Sequence, residues 1–300
     1  MQRIRCFLLG IFVTPAFAAG QPVAQPVGVA SIETLQMPGW LERDGRTQPL
    51  ALGIKVRNGD KIRTGAEARV YLKLADGSTA KLGEQATLNF YSRSLKPASN
   101  FKGALDVVRG AFRFTTDRLP RMHTQRQIAI RIGTATAGIR GTDLWGKSDS
   151  RRDLIALIAG NIKVRHAGAT FEMAEPMTYF AVPRNAPPEP LTRIDPETFR
   201  QWARETEILP GDGAAQRGGT WNVLLARVGQ QSEALLAYDK ARNAGYAAQV
   251  RVRPGGTGKP DQSEQWSYEV ILAQLADERE AVVVANRIKA QLGFEAFPAK

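Results

Sequence analysis

Residues 68–82 read ARVYLKLADGSTAKL, and this stretch decides the fold class of the first half of the chain. Apolar residues alternate with Arg69, Tyr71 and Lys73, which is the pattern of a strand with one buried face. Asp76-Gly77 then supplies the chemistry of a tight turn, and the alternation resumes beyond it. The stretch therefore predicts a β-hairpin.

The same kind of pattern continues on both sides of this hairpin. Almost nothing between residues 29 and 182 repeats with the 3.6-residue period of a helix, so we predict an all-β domain there. Further strands are predicted at residues 86–91, 104–108, 111–115, 128–132, 153–159, 161–165 and 177–182.

Residues 183–219 interrupt the strand pattern and predict a linker with a short helix. A proline-rich run at 187–190 is stiff and extended. Asp195-Pro196-Glu197 is typical of a helix start, and we expect the helix to end near Ile208. The glycines between residues 210 and 219 predict a flexible tether.

Residues 220–300 contain an internal duplication, because residues 221–226 (WNVLLA) match residues 268–273 (YEVILA). Each half reads as strand, helix, glycine, aromatic residue and strand. In the second half, Asp277 and Glu280 suit a helix start and Gly293 suits its end. Two such halves predict an α+β domain, a βαββαβ unit of the split-βαβ type, with both helices on one face of its sheet.

The N-terminal residues predict export. Two arginines precede a short apolar run, and Ala16-Phe17-Ala18 is a cleavage pattern, so residues 1–18 read as a signal peptide. Residues 19–28 are rich in Gln, Pro and Ala and are predicted to be disordered. No later segment is apolar enough to cross a bilayer. We therefore expect a periplasmic protein without a transmembrane segment after signal removal.

Composition narrows the chemistry. The single cysteine, Cys6, falls within the signal peptide, so the mature chain lacks disulfides and thiolate chemistry. His123 and His166 are the only histidines, and no catalytic residues, metal site or cofactor loop stand out, so we expect no enzyme and no cofactor. The net charge of +12 favours acidic envelope polymers as partners. Export and the lack of stacking aromatics argue against nucleic acid.

Three motifs in the β-rich region carry a family resemblance: residues 59–65 (GDKIRTG), 108–112 (VRGAF) and 137–143 (AGIRGTD), together with the strand that leads to Asp76-Gly77-Ser78. Over roughly residues 29–182 the chain resembles the FecR domain family. The resemblance implies a periplasmic domain of stacked strands, solenoid-like or sandwich-like. Some such domains belong to signalling proteins that pass a message through a membrane helix to a sigma factor.

The duplicated C-terminal region resembles a SPOR (sporulation-related repeat) domain over residues 219–300. The resemblance implies binding to peptidoglycan glycan strands that lack stem peptides, on the open face of the sheet. By period-two alternation, the residues expected to face outward there are Asn222, Leu224, Ala226, Gln249, Arg251 and Ile271. We predict these six as a glycan-binding site. The alternative is that this face packs against the β domain or against the linker helix through Phe199 and Trp202.

A second candidate site lies in the segment 137–143. Gly138 and Gly141 bracket Arg140, and Asp143 is close enough in sequence to pair with it. A turn pinned by an Arg140–Asp143 pair is the structural interpretation, and an anion site at Arg140 is the functional one.

Together these patterns predict an exported cell-envelope binding protein. The SPOR-like domain would bind peptidoglycan and localise the chain, while the FecR-like domain would bind an unidentified partner or ligand, such as an envelope protein. The alternative is a periplasmic signalling or regulatory module that acts by protein–protein contact.

Overall fold

The computed structural model describes residues 30–95, 100–116, 126–139, 141–255 and 265–300. The predicted signal peptide, the predicted disordered segment 19–28 and Arg140 lie outside the described residues. Within them the chain is mostly β, with twenty-two strands and three helices. None of the helices in these ranges is both long and apolar enough to span a bilayer.

Among the described residues, no helix interrupts the first sixteen strands. They are β1 (Ala30–Gln36), β2 (Gly39–Arg43), β3 (Arg46–Pro49), β4 (Lys55–Val56), β5 (Lys61–Thr64), β6 (Arg69–Leu74), β7 (Thr79–Leu82), β8 (Thr87–Leu95), β9 (Asn100–Thr115), β10 (Arg126–Ile132), β11 (Ala135–Ile139), β12 (Asp143–Ser148), β13 (Arg152–Ala159), β14 (Ile162–His166), β15 (Ala169–Met173) and β16 (Thr178–Pro183).

Helices occur only later in the described chain. The remaining elements are β17 (Thr192–Arg193), α1 (Pro196–Thr206), β18 (Ala214–Gln216), β19 (Trp221–Val228), α2 (Gln231–Asn243), β20 (Gln249–Gly255), β21 (Gln265–Leu275), α3 (Glu278–Leu292) and β22 (Phe297–Ala299).

The first seventeen strands form two facing sheets. Sheet I runs β17–β16–β13–β12–β9–β7–β6–β1, and β4 and β18 share the remaining side of β1. Sheet II runs β3–β2–β5–β8–β9–β10–β11–β14–β15. Neighbours are antiparallel except β9 and β10, which are parallel. The all-β prediction for this region is confirmed in its fold class.

Strand β9 belongs to both sheets and changes sheet at Gly110. Gly110 has a φ of +89°, a region that favours glycine. A Cβ at this position would lie 2.5 Å from the Cβ of Ala86. Glycine is therefore required where β9 crosses from sheet II to sheet I.

The core lies between the sheets and follows the alternation of residues 68–82. Val70, Leu72 and Leu74 are 0%, 1% and 3% exposed, while Tyr71 points to the other side of sheet I. Val70 pairs with Leu82 across β6 and β7, so the predicted hairpin is confirmed. Complete burial of such a side chain stabilises the fold by about 1.5–3 kcal/mol.

Helix α1 begins where the sequence predicts. The carboxylate of Asp195 accepts hydrogen bonds from the backbone N–H groups of Glu197 and Thr198, both at 3.0 Å. This cap satisfies N–H groups that the helix itself leaves unpaired. The helix ends at Thr206, two residues before the predicted end.

The segment after α1 is ordered, where the sequence predicted a flexible tether. Ala215 in β18 pairs with Leu35 of β1 and also with Leu275 of β21. Strand β18 therefore joins sheet I to the C-terminal sheet. A glycine-rich stretch can form such a strand because its backbone finds partners on both sides.

Glu280 of α3 holds the same segment. Its carboxylate is buried and accepts hydrogen bonds from the N–H groups of Gly211, Gly213 (2.6 Å) and Ala214 (3.0 Å). The sequence pattern suited Glu280 to the start of its own helix, and there its backbone N–H does donate to Asp277 at 3.0 Å. Its side chain, however, binds the linker.

The C-terminal sheet has the strand order β22–β19–β21–β20, with all neighbours antiparallel. Helices α2 and α3 pack on one face of it, against buried residues such as Val223 and Leu272. Helix α3 ends at Gly293, whose φ is +65°, as the sequence predicts.

The C-terminal part contacts the sandwich directly. The N–H of Gly39 donates to the carbonyl of Gly245 at 3.0 Å. Gly245 has a φ of +86°, and a Cβ there would lie 2.6 Å from the ring of Trp40. Arg287 of α3 adds hydrogen bonds to the carbonyls of Met37 (3.4 Å) and Asp212 (3.1 Å).

Candidate functional site

The predicted outward face of the C-terminal sheet is interrupted by a β-bulge in β19. Leu224 pairs with Ile271, but Ala226 pairs with Val270, so the register shifts by one residue between them. Leu225 and Ala226 consequently both lie on the helix side, in the core cluster. The prediction that Ala226 faces outward is therefore wrong.

The apolar residues predicted to be available to sugars are buried. Leu224 and Ile271 are each 2% exposed, and Asn222 is 8% exposed. Neither apolar side chain belongs to the core on the helix side. They occupy the predicted face but are buried there, so the expectation that these two side chains are exposed is wrong.

Arg251 contributes to this burial. It stands on β20, opposite Glu269 of β21, and its Nη2 donates to Oδ1 of Asn222 on β19 at 3.3 Å. Because β21 lies between β20 and β19, the side chain must cross β21 near Ile271. The methylene stem of an arginine readily covers apolar surface while its guanidinium stays polar. Of the six predicted residues, Gln249 alone remains exposed.

Glu269 organises the polar part of the same face. It accepts hydrogen bonds from Arg227 (2.8 and 3.0 Å) and from Arg253 (3.3 Å). Burial raises the pKa of Glu269, but the two guanidinium groups outweigh it, and the pKa lies below its usual value. The polar part of the face is therefore a layer of arginines around one carboxylate. The exposed apolar residue of the face is Phe297, which pairs with Leu224 across β22 and β19 and is not one of the six predicted residues.

Of the second predicted site, Asp143 lies within the described residues. Asp143 forms a two-point ion pair with Arg113 of β9, at 2.8 and 3.0 Å. This hydrogen bonding raises the pKa of Arg113. Arg140, the predicted partner of Asp143, lies outside the described residues. Within the described ranges, no group of His, Cys, Asp and Glu is arranged to hold a metal ion.

A surface that the sequence analysis did not identify lies on the outer face of sheet I. Cross-strand pairing places Tyr71, Lys81, Arg113 and Trp145 side by side on four neighbouring strands. We call this surface, which helix α1 covers, the α1-covered face. Its members are Arg69, Tyr71, Lys81, Arg113, Trp145, Lys147 and Tyr179.

Aromatic contacts hold the middle of α1 on this face. The ring of Trp202 stacks on Trp145 with centroids 4.7 Å apart and an interplanar angle of 3°. Tyr179 meets Trp202 edge-on at 5.5 Å. Phe199 belongs to the same cluster. Phe199 and Trp202 therefore cover sheet I, whereas the alternative in the sequence analysis placed them on the C-terminal sheet.

Charged contacts hold the C-terminal end of α1. Glu207 accepts hydrogen bonds from Lys81 and from Arg113 (2.8 Å) and one from the hydroxyl of Tyr71 (3.1 Å). Burial raises the pKa of Tyr71 well above its usual value, so the phenol stays protonated and donates.

Two more cations reach the same helix. Lys147 pairs with Glu205 at 2.7 Å, and Arg69 donates to the carbonyls of Arg204 (3.1 Å) and Glu205 (3.3 Å). Cations at the carbonyl end of a helix also suit its dipole. At Gly83, a Cβ would lie 2.4 Å from the carbonyl oxygen of Glu205, so glycine allows this close approach.

One polar group beneath α1 has no partner. Trp145 is 2% exposed, and its indole Nε1–H makes no hydrogen bond. Leaving a buried donor unpaired costs about 1–3 kcal/mol. The fit between α1 and sheet I is therefore incomplete at this point.

The sequence held a signal for this surface. Alternation had placed Arg69, Tyr71 and Lys73 outside the core, and Phe199, Trp202 and Thr206 repeat on one side of α1. A helix face with aromatic residues and a strand face with cations and aromatic residues are each unusual on a solvent-exposed surface. Their pairing could not be read, because nothing local in a sequence shows which faces meet.

A family match covers most of the strands that form the α1-covered face. Residues 60–163 match the family model described as FecR protein. The FecR-matching segment supplies Tyr71, Lys81, Arg113 and Trp145, whereas Trp202 of α1 lies beyond it. The match agrees with the FecR resemblance drawn from the motifs.

Solved structures and curated proteins were also compared with the chain. Two crystal structures of a candidate anti-sigma factor from Parabacteroides distasonis align with it at 12% and 13% identity, both with a TM-score of 0.39. The alignments cover 78% of this chain and 92% and 91% of the other. No curated protein matches this chain.

Proposed function

We propose that this chain is an exported, periplasmic regulatory module that acts by protein–protein contact through the α1-covered face. The observation that carries the proposal is the clustering of Trp145, Tyr179 and Arg113 on one outer face of the FecR-matching sandwich. Tryptophan, tyrosine and arginine are the residues that most often dominate binding at protein interfaces. They lie outside the core of the sandwich and beneath α1, so a partner that binds all three must displace α1.

The proposal extends to location and chemistry. The signal-peptide pattern of residues 1–18 supports export, and the basic mature chain suits the acidic surroundings of a cell envelope. We propose binding without catalysis and without a cofactor. We also keep the domain boundaries, with a FecR-like domain at 29–182, a linker at 183–219 and a split-βαβ, SPOR-like domain at 220–300.

Glycan binding by the SPOR-like domain has less support. The inward turn of Ala226 and the burial of Leu224 and Ile271 remove the apolar part of the predicted site. Gln249 and the arginines near Glu269 keep a polar surface. Co-sedimentation of the mature chain with amidase-treated sacculi measures this directly, and we expect no enrichment over an exported control protein.

Site-specific photo-crosslinking tests the main proposal. A photoreactive phenylalanine analogue at Lys73, exposed beside Tyr71 on sheet I, should yield discrete crosslinked proteins in intact cells. The same analogue at Thr170, exposed on β15 of sheet II, is the matched control and should yield none. Equal crosslinking at both positions, or none at Lys73, would refute contact through this face. Release of the mature chain by osmotic shock tests its location.

A further inference from the structure

We infer that the α1-covered face is a docking site for an acidic helix that bears an aromatic residue, supplied by a partner protein, and that α1 occupies it as an intramolecular competitor. This inference rests on the proposed function and names the chemistry of the partner. Both parts follow from how α1 itself is held.

The charges of the face define the sign of its ligand. Lys147 pairs with Glu205 of α1, and Lys81 and Arg113 pair with Glu207 directly after it. Arg69 donates to backbone carbonyls at the end of the helix. If α1 left, Asp143 would remain paired with Arg113 and Gln36 with Arg69, whereas Lys81 and Lys147 would lose their carboxylate partners. A segment that replaces α1 must therefore carry at least two carboxylates spaced to reach Lys81 and Lys147.

The aromatic residues of the face define the anchor of its ligand. Trp145 and Tyr179 contact two sides of the Trp202 ring, one stacked and one edge-on. Such a slot accepts a flat ring and gains little from an aliphatic side chain. The replacing segment must place carboxylates three and five residues after its aromatic residue, as Glu205 and Glu207 follow Trp202, with the second carboxylate just beyond the helix end.

The shallow seating of α1 makes its departure possible. Within α1, Thr206 is the one residue that is buried, and Phe199, Trp202 and Glu205 are half-buried. The unpaired Nε1–H of Trp145 shows that α1 does not satisfy the whole surface. A partner that offers an acceptor at this position would bind the face more completely than α1 does.

The flanks of α1 keep it near the face after release. Prolines at 187–190 precede it, and the loop bound by Glu280 follows it. A tethered competitor acts at a high effective concentration, so an external helix must overcome it. Weakening α1 should therefore raise the affinity for an external helix without changing the face.

Peptide binding to the mature chain tests this directly. The probe is a fluorescein-labelled peptide of residues 194–209, IDPETFRQWARETEIL, followed by fluorescence anisotropy. We compare the wild-type chain with the double variant Trp202→Ala/Glu207→Gln, which alters α1 and leaves the face intact. The double variant should bind the peptide at least tenfold more tightly than wild type. A peptide with the same two substitutions should bind neither chain.

The same assay tests whether the peptide binds to the α1-covered face. Adding Arg113→Ala to the double variant should weaken peptide binding at least tenfold, while adding Arg165→Ala on β14 of sheet II should not change it. Equal binding by wild type and the double variant, or binding insensitive to Arg113→Ala, would overturn the inference. A peptide with all glutamates changed to lysine should not compete, and competition by it would also overturn the inference.

Hydrogen exchange of the wild-type chain provides a measurement that no folding defect can disturb. Backbone amides of α1 should exchange at least 100-fold faster than those of β12 beneath it. Equal protection of α1 and β12 would mean that α1 is a permanent part of the fold and would overturn the inference.

Two further outcomes separate the partner from other occupants. Light scattering should show a monomeric wild-type chain. If the chain is instead a dimer that the peptide dissociates, the occupant of the face is α1 of a second copy and not a partner protein. If the peptide binds as expected but Lys73 yields no crosslinks, the docking site stands and the proposed function fails. If crosslinks form but the peptide does not bind, the proposed function stands and this inference fails.

Discussion

Two covered sheet faces differ in what covers them. On the C-terminal sheet, Arg251 crosses Ile271, and the cover belongs to the same sheet as the residues it hides. On sheet I, Trp202 and Glu207 come from a separate helix that lies over Trp145 and its neighbours. The first cover is a side chain of the sheet itself, whereas the second is a separate segment of chain.

The comparison shows why outward alternation alone does not identify a binding surface. Leu224 and Tyr71 both lie outside their cores by the period of the strand, and both are shielded in the folded chain. Leu224 is buried on the C-terminal sheet, and Tyr71 is shielded by the segment that contains α1, where Ile208, 137 residues further along the chain, donates its N–H to the Tyr71 hydroxyl. A cover that belongs to a separate segment of chain is a better indication of a binding surface than outward alternation alone.

The largest expected effect concerns the junction where Glu280 of α3 contacts the segment that follows α1. Glu280→Ala removes the acceptor of Gly211, Gly213 and Ala214, so three backbone N–H groups lose their partner. We expect the free energy of unfolding to fall by about 3 kcal/mol, because a buried charge-assisted cluster is broken. Urea denaturation of the mature chain measures the change.

Glu278→Ala is the control for this substitution. Glu278 stands in the same first turn of α3 and is exposed. Its loss should cost less than about 0.5 kcal/mol. Equal effects of the two substitutions would mean that the Glu280 contacts do not stabilise the junction, and that α1 is not anchored at its downstream end.

The contacts of Glu280 also show which structural features can be predicted from the sequence. The hairpin at 68–82, the cap at Asp195 and the stop at Gly293 were predictable, because each depends on residues close in the chain. The side chain of Glu280 binds a linker more than sixty residues away, and no local pattern indicates that.

The candidate site was less predictable than the fold for the same reason. The bulge that turns Ala226 inward adds one residue to β19, and a strict period of two cannot register it. The burial of Ile271 depends on an arginine from a neighbouring strand. The stacking of Trp202 on Trp145 joins elements 57 residues apart. Long-range pairing, not local propensity, decides each case.

The next effect sharpens the comparison on the C-terminal sheet. Leu224→Ala should lower the free energy of unfolding by about 2 kcal/mol, because a side chain that is 2% exposed leaves a cavity when shortened. Leu236→Ala on α2, where the leucine is 73% exposed, is the control and should change stability little. A loss below 0.5 kcal/mol for Leu224→Ala would mean that this face is open, and would revive it as a glycan site.

A smaller effect is expected for the separable cover. Trp202→Ala should cost about 1.5 kcal/mol, since the ring is half-buried and its stack on Trp145 adds modestly to the burial term. The near-ultraviolet circular dichroism of the stacked pair should weaken as well. Gln201→Ala, at an exposed neighbouring position, should alter neither quantity. A cost above 3 kcal/mol would indicate that α1 is integral to the core and would erase the contrast between the two covers.

The smallest effect concerns the charges of the C-terminal face and depends on pH. Burial raises the pKa of Glu269, but Arg227 and Arg253 together lower it by more than burial raises it. Glu269 therefore binds its proton less tightly in the folded chain than in the unfolded chain. The stabilisation is therefore complete above the ordinary value of about 4.5 and is lost as the pH falls through the folded pKa. Glu269→Gln removes the titration and is the reference.

The melting temperature of wild type should exceed that of Glu269→Gln by a constant margin between pH 6 and 8. The margin should shrink below about pH 4.5, because protonation removes the charge that the arginines attract. A margin that grows on acidification would reverse the sign of the shift and place Glu269 outside the arginine layer. The α1-covered face offers a useful contrast, since Trp202 carries no titratable group and the Trp202→Ala difference should not follow this pH profile.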